Sequence, residues 1–159
     1  MVWRANARGL VVLVLLAAGA CRDATNEGRR LPGETVVLGI DDRKLSVEVA
    51  CDDASRKTGL MHRERLGEDA GMLFIYPGHL EMSFWMKNTS IPLSIAFLDD
   101  GGTIVQIEDM RPYDESSTRS DRKVRYAIEV NRGWFARQGI KVGDAFADFE
   151  ERTRGFHVR

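Results

Sequence analysis

The chain reads as a mostly β protein, an antiparallel sandwich or barrel of about seven short strands with two short helices. Three observations lead there: apolar and β-branched runs that alternate with polar residues, turn residues between nearly all of them, and only two brief helical stretches. Thr35 to Ile40 forms the first run, Asp41-Asp42 supplies a turn, and Leu45, Val47, Val49 and Cys51 then alternate with Ser46, Glu48 and Ala50. That second strand is half-buried, with Cys51 on its inner face. Asp52 or Asp53 caps a helix running to about His62, and the chain turns at Gly67. Met72 to Tyr76 is a buried strand that Pro77-Gly78 should end, and Met82 to Met86 is another. Leu93 to Leu98 is apolar on both faces, and Asp99 to Gly102 is a hairpin signal leading into Thr103, Val105 and Ile107. Beyond the polar loop Arg111 to Asp121, Val124, Tyr126, Ile128 and Val130 alternate with Lys123, Arg125 and Glu129. Asn131 should open a helix through Gln138, stopped by Gly139, before a last strand from Ala145 to Phe149. No strand–helix–strand alternation argues for parallel pairing.

The ends of the chain differ from this middle. Arg4 and Arg8 precede an unbroken apolar run from Leu10 to Leu16, and Ala17-Ala18-Gly19-Ala20 lead to Cys21. This is the layout of a secretory signal peptide, too short for a membrane span of about 20 residues. Cysteine directly after the small residues matches a lipoprotein signal, so residues 1–20 are expected to be removed and Cys21 lipidated. Ala18-Gly19-Ala20 would also serve plain secretion. Residues 21–34 are polar, with Gly28, Pro32 and Gly33, and read as a flexible tether to a single domain over 35–149. Residues 150–159 read as a charged, frayed tail.

Charge excludes some functions. The chain carries 23 Lys and Arg against 24 Asp and Glu, and both basic residues of the signal segment would be lost on export. A mildly acidic product without a basic run argues against nucleic acid as a partner. The bilayer is the expected partner, reached through Cys21, because nothing else pulls the domain to anionic lipid. Arg22 after the cysteine gives no aspartate-type retention signal, which points to a periplasmic, outer-membrane lipoprotein.

The residues least like generic strand filler lie between Gly59 and Leu98. They are Gly59-Leu60-Met61-His62-Arg63, Gly71-Met72-Leu73-Phe74, Phe84-Trp85-Met86-Lys87-Asn88-Thr89 and Ile91-Pro92-Leu93. With Leu98-Asp99, Gly101-Gly102, Tyr126 to Val130, Gly133 and Ile140-x-x-Gly143-Asp144, this series resembles the domain of unknown function 192 family. The resemblance covers about Thr35 to Phe149 and implies an extracytoplasmic, mostly β domain with no agreed activity. A position after Pro-Leu that often carries aspartate in that family is Ser94 here.

Lys87-Asn88-Thr89 follows directly on the aromatic strand. Trp85 can serve as a stacking floor, Lys87 and Asn88 as donors to a ligand's carboxylate or hydroxyls, and Arg63 as the residue completing the rim. The bland alternatives are core packing for the aromatics, a left-handed turn at Asn88 and a surface ion pair of Arg63 with Glu64 or Glu68. A Cu(I) site would use His79, Met82 and Met86, although methionine is also ordinary core filler. Catalytic motifs are absent from the sequence, and an inward Cys51 should be an inert thiol. The expected activity is therefore non-catalytic binding of a small ligand or peptide, without cofactor. An envelope-acting hydrolase and a structural or assembly lipoprotein are the competing classes.

Overall fold

A computed structural model describes residues 30–156 and 158–159. The signal segment and Cys21 lie outside them. Eight strands and three short helices follow in the order β1 (Thr35–Ile40), β2 (Arg43–Ala50), α1 (Asp53–Thr58), β3 (Ala70–Leu80), β4 (Ser83–Phe84), β5 (Leu93–Leu98), β6 (Ile104–Met110), β7 (Thr118–Arg119), β8 (Val124–Asn131), α2 (Trp134–Arg137) and α3 (Phe149–Thr153). The mostly β class is as expected. Six strands form one open, mixed sheet in the order β1-β2-β3-β8-β5-β6, and β4 pairs with β7 in a second, two-stranded sheet.

The β1–β2 hairpin turns at Asp41-Asp42, with Asp41 in the left-handed region at φ 51°. β2 then pairs in parallel with β3, Ser46 opposite Ala70 through Ala50 opposite Phe74. A parallel neighbour needs a crossover. α1 supplies it, so the all-antiparallel expectation gives way here. Asp52 starts the helix with a reciprocal cap, its carboxylate accepting from Ser55 N at 2.7 Å while its own N–H donates to Ser55 Oγ at 3.2 Å. The helix stops at Gly59, at φ 48°, earlier than His62 because Leu60 must turn into the core.

Pro77-Gly78 does not end β3. The register with β8 shifts between Ile75 and Leu80, so the ladder absorbs the proline as an irregularity and resumes at Leu80 opposite Val124. β5, buried at every residue, lies between β8 and β6. Asn131 still belongs to β8, its amide nitrogen donating to Gly67 O at 2.7 Å, so α2 begins later, at Gly133. Ala145 to Phe149 is not a continuous strand. Ala145 bridges Thr103 and Ala147 bridges Gly39, which ties the two outer hairpins together, and Phe146 and Phe149 are buried.

Both faces of the main sheet are covered. One carries Val36, Leu38, Leu45, Val47, Leu73, Ile128 and Val130 under Trp134, Phe135, Phe146 and Phe149. The other carries Met72, Phe74, Ile95, Phe97 and Ala127 under Leu60, Met82, Phe84, Met86 and Ile91. The termini of the described chain are docked rather than frayed. Arg30 donates to Arg152 O at 2.6 Å and stacks over Phe156, and Arg159 N donates to Cys51 O at 3.1 Å. A helix long and apolar enough to cross a membrane is absent among the described residues.

Where β3 meets β8 the backbones approach closely. A Cβ on Gly71 would sit 2.5 Å from Glu129 O and 3.0 Å from Val130 Cγ1. Gly71→Ala is therefore expected to lower unfolding free energy by about 1–3 kcal/mol through overpacking. Urea denaturation checks this, and an unchanged midpoint would contradict the close approach.

Candidate functional site

The segment from β4 to β5 crosses the face of the sheet on which Phe74 and Ala127 lie, and beside α1 it leaves a cleft. Phe74, Phe84, Trp85, Leu60 and Thr89 line it, with Arg56, Lys57 and Glu129 as its charged or ionisable members. The narrower part holds about 30 Å³, and a shallower groove of about 360 Å³ shares Arg56, Lys57, Phe84 and Trp85 and continues past Asp53, Tyr76 and Ser83. Phe84 is fixed edge-on to Phe74 with ring centroids 5.0 Å apart, which leaves no freedom in that wall. Trp85, next along the chain, points outward and is 46% exposed. The Lys87 ammonium lies 5.1 Å from its ring centroid.

Glu129 is the residue the sequence did not single out. It lies on β8 between Met72 of β3 and Ile95 of β5, is only 5% exposed, and its carboxyl, which lines the cleft, makes no hydrogen bond with the described residues. Burial pushes its pKa from 4.5 up to about 8, so the group is a neutral acid at pH 7. Alternation along β8 put Glu129 on a solvent face. The signal that could have corrected this is β5: a strand apolar on both sides requires cover on both faces of its neighbours too.

The Arg56 side chain is also mostly covered, 6% exposed, but its guanidinium is engaged. It donates to Ile75 O at 2.9 Å, to Asp53 Oδ1 at 2.6 Å and to Arg159 O. It also stacks on Tyr76, 4.8 Å from the ring centroid. Burial pushes the Tyr76 phenol up; Arg56 opposes this and Glu129 adds to it.

Of the four residues expected at a binding rim, Trp85 lines the cleft and Lys87 stacks on it. Asn88 takes φ 54° and accepts from His62 N at 2.9 Å, which joins the segment after α1 to the one after β4. Ser90 Oγ reinforces that junction by donating to Arg63 O at 3.0 Å. The Arg63 guanidinium turns to Glu48, donating at 2.6 and 2.7 Å to its two oxygens, and holds that carboxyl below its ordinary value. Glu48 is thus the partner, in place of Glu64 or Glu68.

Ser94 donates to Asp109 Oδ1 at 2.5 Å and accepts from Gly133 N at 2.8 Å, joining β5, β6 and the start of α2. The copper candidates fall in different surroundings. His79 is exposed and 3.0 Å from both oxygens of Asp100, whereas Met82 and Met86 are core residues. Groups of three His, Cys, Asp or Glu able to hold a metal are absent among the described residues. Cys51 is buried and unpaired, and burial pushes its thiol up.

The profile of the domain of unknown function 192 family (DUF192, uncharacterised ACR) matches residues 36–147. The chain belongs to this family. Its fold is similar to that of a protein from Sinorhizobium meliloti 1021, described as a candidate transcription regulator, at 37% identity and a TM-score of 0.66. That match covers 71% of this chain and 91% of the other. It is also similar to a protein of unknown function from Novosphingobium aromaticivorans DSM 12444, at 33% identity and a TM-score of 0.64, covering 70% and 82% of the two chains. None of the curated proteins matches the chain. As a DUF192 member it brings no activity with it, so function rests on the cleft.

Glu129 makes a sign-specific prediction. The folded protein keeps a proton that the unfolded chain releases above pH 4.5, so the contribution to stability is full below 4.5 and is lost as pH rises to about 8. The full loss is on the order of 5 kcal/mol at about 1.4 kcal/mol per pKa unit. Glu129→Gln should flatten stability against pH across that window, measured by denaturation at several pH values. Equal slopes in the two proteins would contradict a protonated Glu129.

Proposed function

We propose that this protein is an exported, lipid-anchored binding module that takes a small ligand in the cleft between α1 and the β4–β5 segment. The observation that carries this reading is Trp85. A large aromatic ring stands out of a core that buries its neighbours Phe84 and Met86, at the mouth of a cleft with an ionisable floor. An apolar wall with a few converging polar groups is the form of a small-molecule site. Trp85 would supply contact area, Lys87 an ammonium at its outer face, and Asn88 a donor on the adjoining turn. Arg63 contributes by holding that turn through its carbonyl bond to Ser90. Attachment to the bilayer would come from Cys21, and export from residues 1–20, and the site would then face the periplasm. The regulator label of the S. meliloti relative is not carried over, because a near-neutral chain of net charge −1 without a basic run lacks the footprint for nucleic acid.

A second reading is an envelope-acting hydrolase, favoured by one observation: a protonated carboxyl in a cleft is placed as a general acid. Binding is preferred because Glu129 is the one carboxyl lining the hollow, and Asp53, which lines the adjoining groove, is committed to Arg56. Turnover of cell-wall glycan by the wild type and not by Glu129→Gln would favour the hydrolase.

Two outcomes check the leading reading. Trp85→Ala should leave the unfolding midpoint nearly unchanged, since the ring is half exposed, and abolish ligand binding measured by calorimetry. The double replacement of Lys87 and Asn88 by Ala should likewise leave a folded protein that no longer binds; an unfolded double variant would make both residues structural. For the anchor, Cys21→Ser should move the protein from the membrane to the soluble periplasmic fraction, and unchanged membrane association would overturn lipidation.

A further inference from the structure

We infer that the cleft recognises a sugar residue, its ring laid on Trp85 and one hydroxyl or hydroxymethyl group inserted into the hollow over Glu129. This rests on the binding reading above and names its ligand class. Four observations converge on it.

The first is size. The narrow hollow of about 30 Å³ accepts one or two water-sized groups and nothing as large as a ring, so the ligand must present a small protruding group there. The second is hydrogen-bond chemistry. Glu129 is 5% exposed, lines the hollow without a hydrogen bond to the described residues, and burial raises its pKa to about 8, so the protonated form predominates at neutral pH. A neutral carboxyl both donates and accepts, and so does a hydroxyl. Thr89 lines the same hollow, and its hydroxyl, already donating to Lys87 O at 3.1 Å, retains acceptor capacity.

The third is charge. Arg56 and Lys57 line the cleft, Lys87 sits over Trp85, and Asp53, the carboxylate of the adjoining groove, is taken up by Arg56, so an ammonium would approach against net positive charge. The Arg56 guanidinium is already held by Ile75 O, Asp53 and Arg159 O, so a carboxylate or phosphate entering the hollow would give up its water for Lys57 alone. An acidic substituent is best accommodated at the mouth, where Lys57 is exposed and Lys87 lies over Trp85. The fourth is shape. The hollow shares Phe84 and Trp85 with a groove whose remaining lining is Asp53, Arg56, Lys57, Tyr76 and Ser83, so the exposed Trp85 ring offers an apolar face among polar groups. A pyranose has the matching form, C–H groups across one ring face and hydroxyls around its edge.

The test uses the purified full chain in detergent, titrated calorimetrically with N-acetylglucosamine oligomers, glucose oligomers and galacturonate oligomers. Putrescine, choline and a mixed tripeptide pool serve as the contrasting probes. The expected result is saturable binding of one oligosaccharide series. Glu129→Leu should weaken it by about tenfold or more through the lost hydrogen bond, and Trp85→Ala should weaken it at least as much. Glu129→Gln, which keeps a donor and an acceptor, should retain affinity within about threefold. Wild-type affinity should fall as the pH passes 8, while Glu129→Gln should not respond.

Binding of amines or peptides without sugars would overturn the sugar class and leave the binding module standing. Sugar binding indifferent to both Trp85→Ala and Glu129→Leu would overturn the site. No binding of any probe would overturn the class and the module together. Glu129→Leu replaces an unpaired buried acid by an apolar side chain of similar volume, so it should fold, and Glu129→Gln provides an independent readout.

Discussion

Everything about this molecule that invites a functional reading depends on β8 being covered on both faces. It lies between β3 and β5 in the middle of the sheet, and each face carries its own apolar layer. A strand in that position has no solvent side. Glu129 on such a strand must either find a partner or give up its charge, since an isolated ionised carboxylate in an apolar interior is far too costly to retain. With no hydrogen bond from the described residues to offset burial, the carboxyl is held mostly protonated at pH 7. The same burial that makes the group expensive makes it available, because its donor and acceptor are spent on no other described residue.

The cover over that face is built from segments that the sequence marks by chemistry more than by secondary structure. α1 is a single well-capped crossover between parallel β2 and β3, and its far end is stopped by Gly59 so that Leu60 can enter the core. The β4–β5 connection crosses opposite it. Asn88 O, His62 N, Ser90 Oγ and Arg63 O hold the two segments together, and the Arg63–Glu48 pair anchors them to β2. The cleft is the gap these two pieces leave. Its walls are rigid where they are core, at Phe74 and Phe84, and open where Trp85 leaves the core.

Much of the sheet was legible locally. β1 and β5 begin and end where hydrophobic patterning puts them, and the Asp99–Gly102 hairpin joins β5 to β6 as its turn residues require. What could not be read locally is what distant pieces do to one another. Pro77-Gly78 reads as a stop, yet a register shift against β8 carries β3 through to Leu80. A six-residue helix too short to suggest a βαβ unit still returns the chain parallel to β2. Ala145 to Phe149 has strand composition, but its partners lie at the ends of two different hairpins. In the site, the motif around Trp85 was visible because an aromatic next to Lys-Asn-Thr is unusual filler. Glu129 was not, because alternation on one strand cannot report that another segment folds over its polar side.

The protonation state of Glu129 is the claim on which the rest turns, and carbon-13 NMR of the folded protein with labelled glutamate reads it directly. The side-chain carboxyl resonance, assigned by its loss in Glu129→Gln, should stay at the protonated shift through pH 7 and move with a midpoint near 8. A midpoint near the ordinary 4.5 would mean an ionised, solvated or paired carboxylate, and the cleft would no longer have the floor on which this account depends.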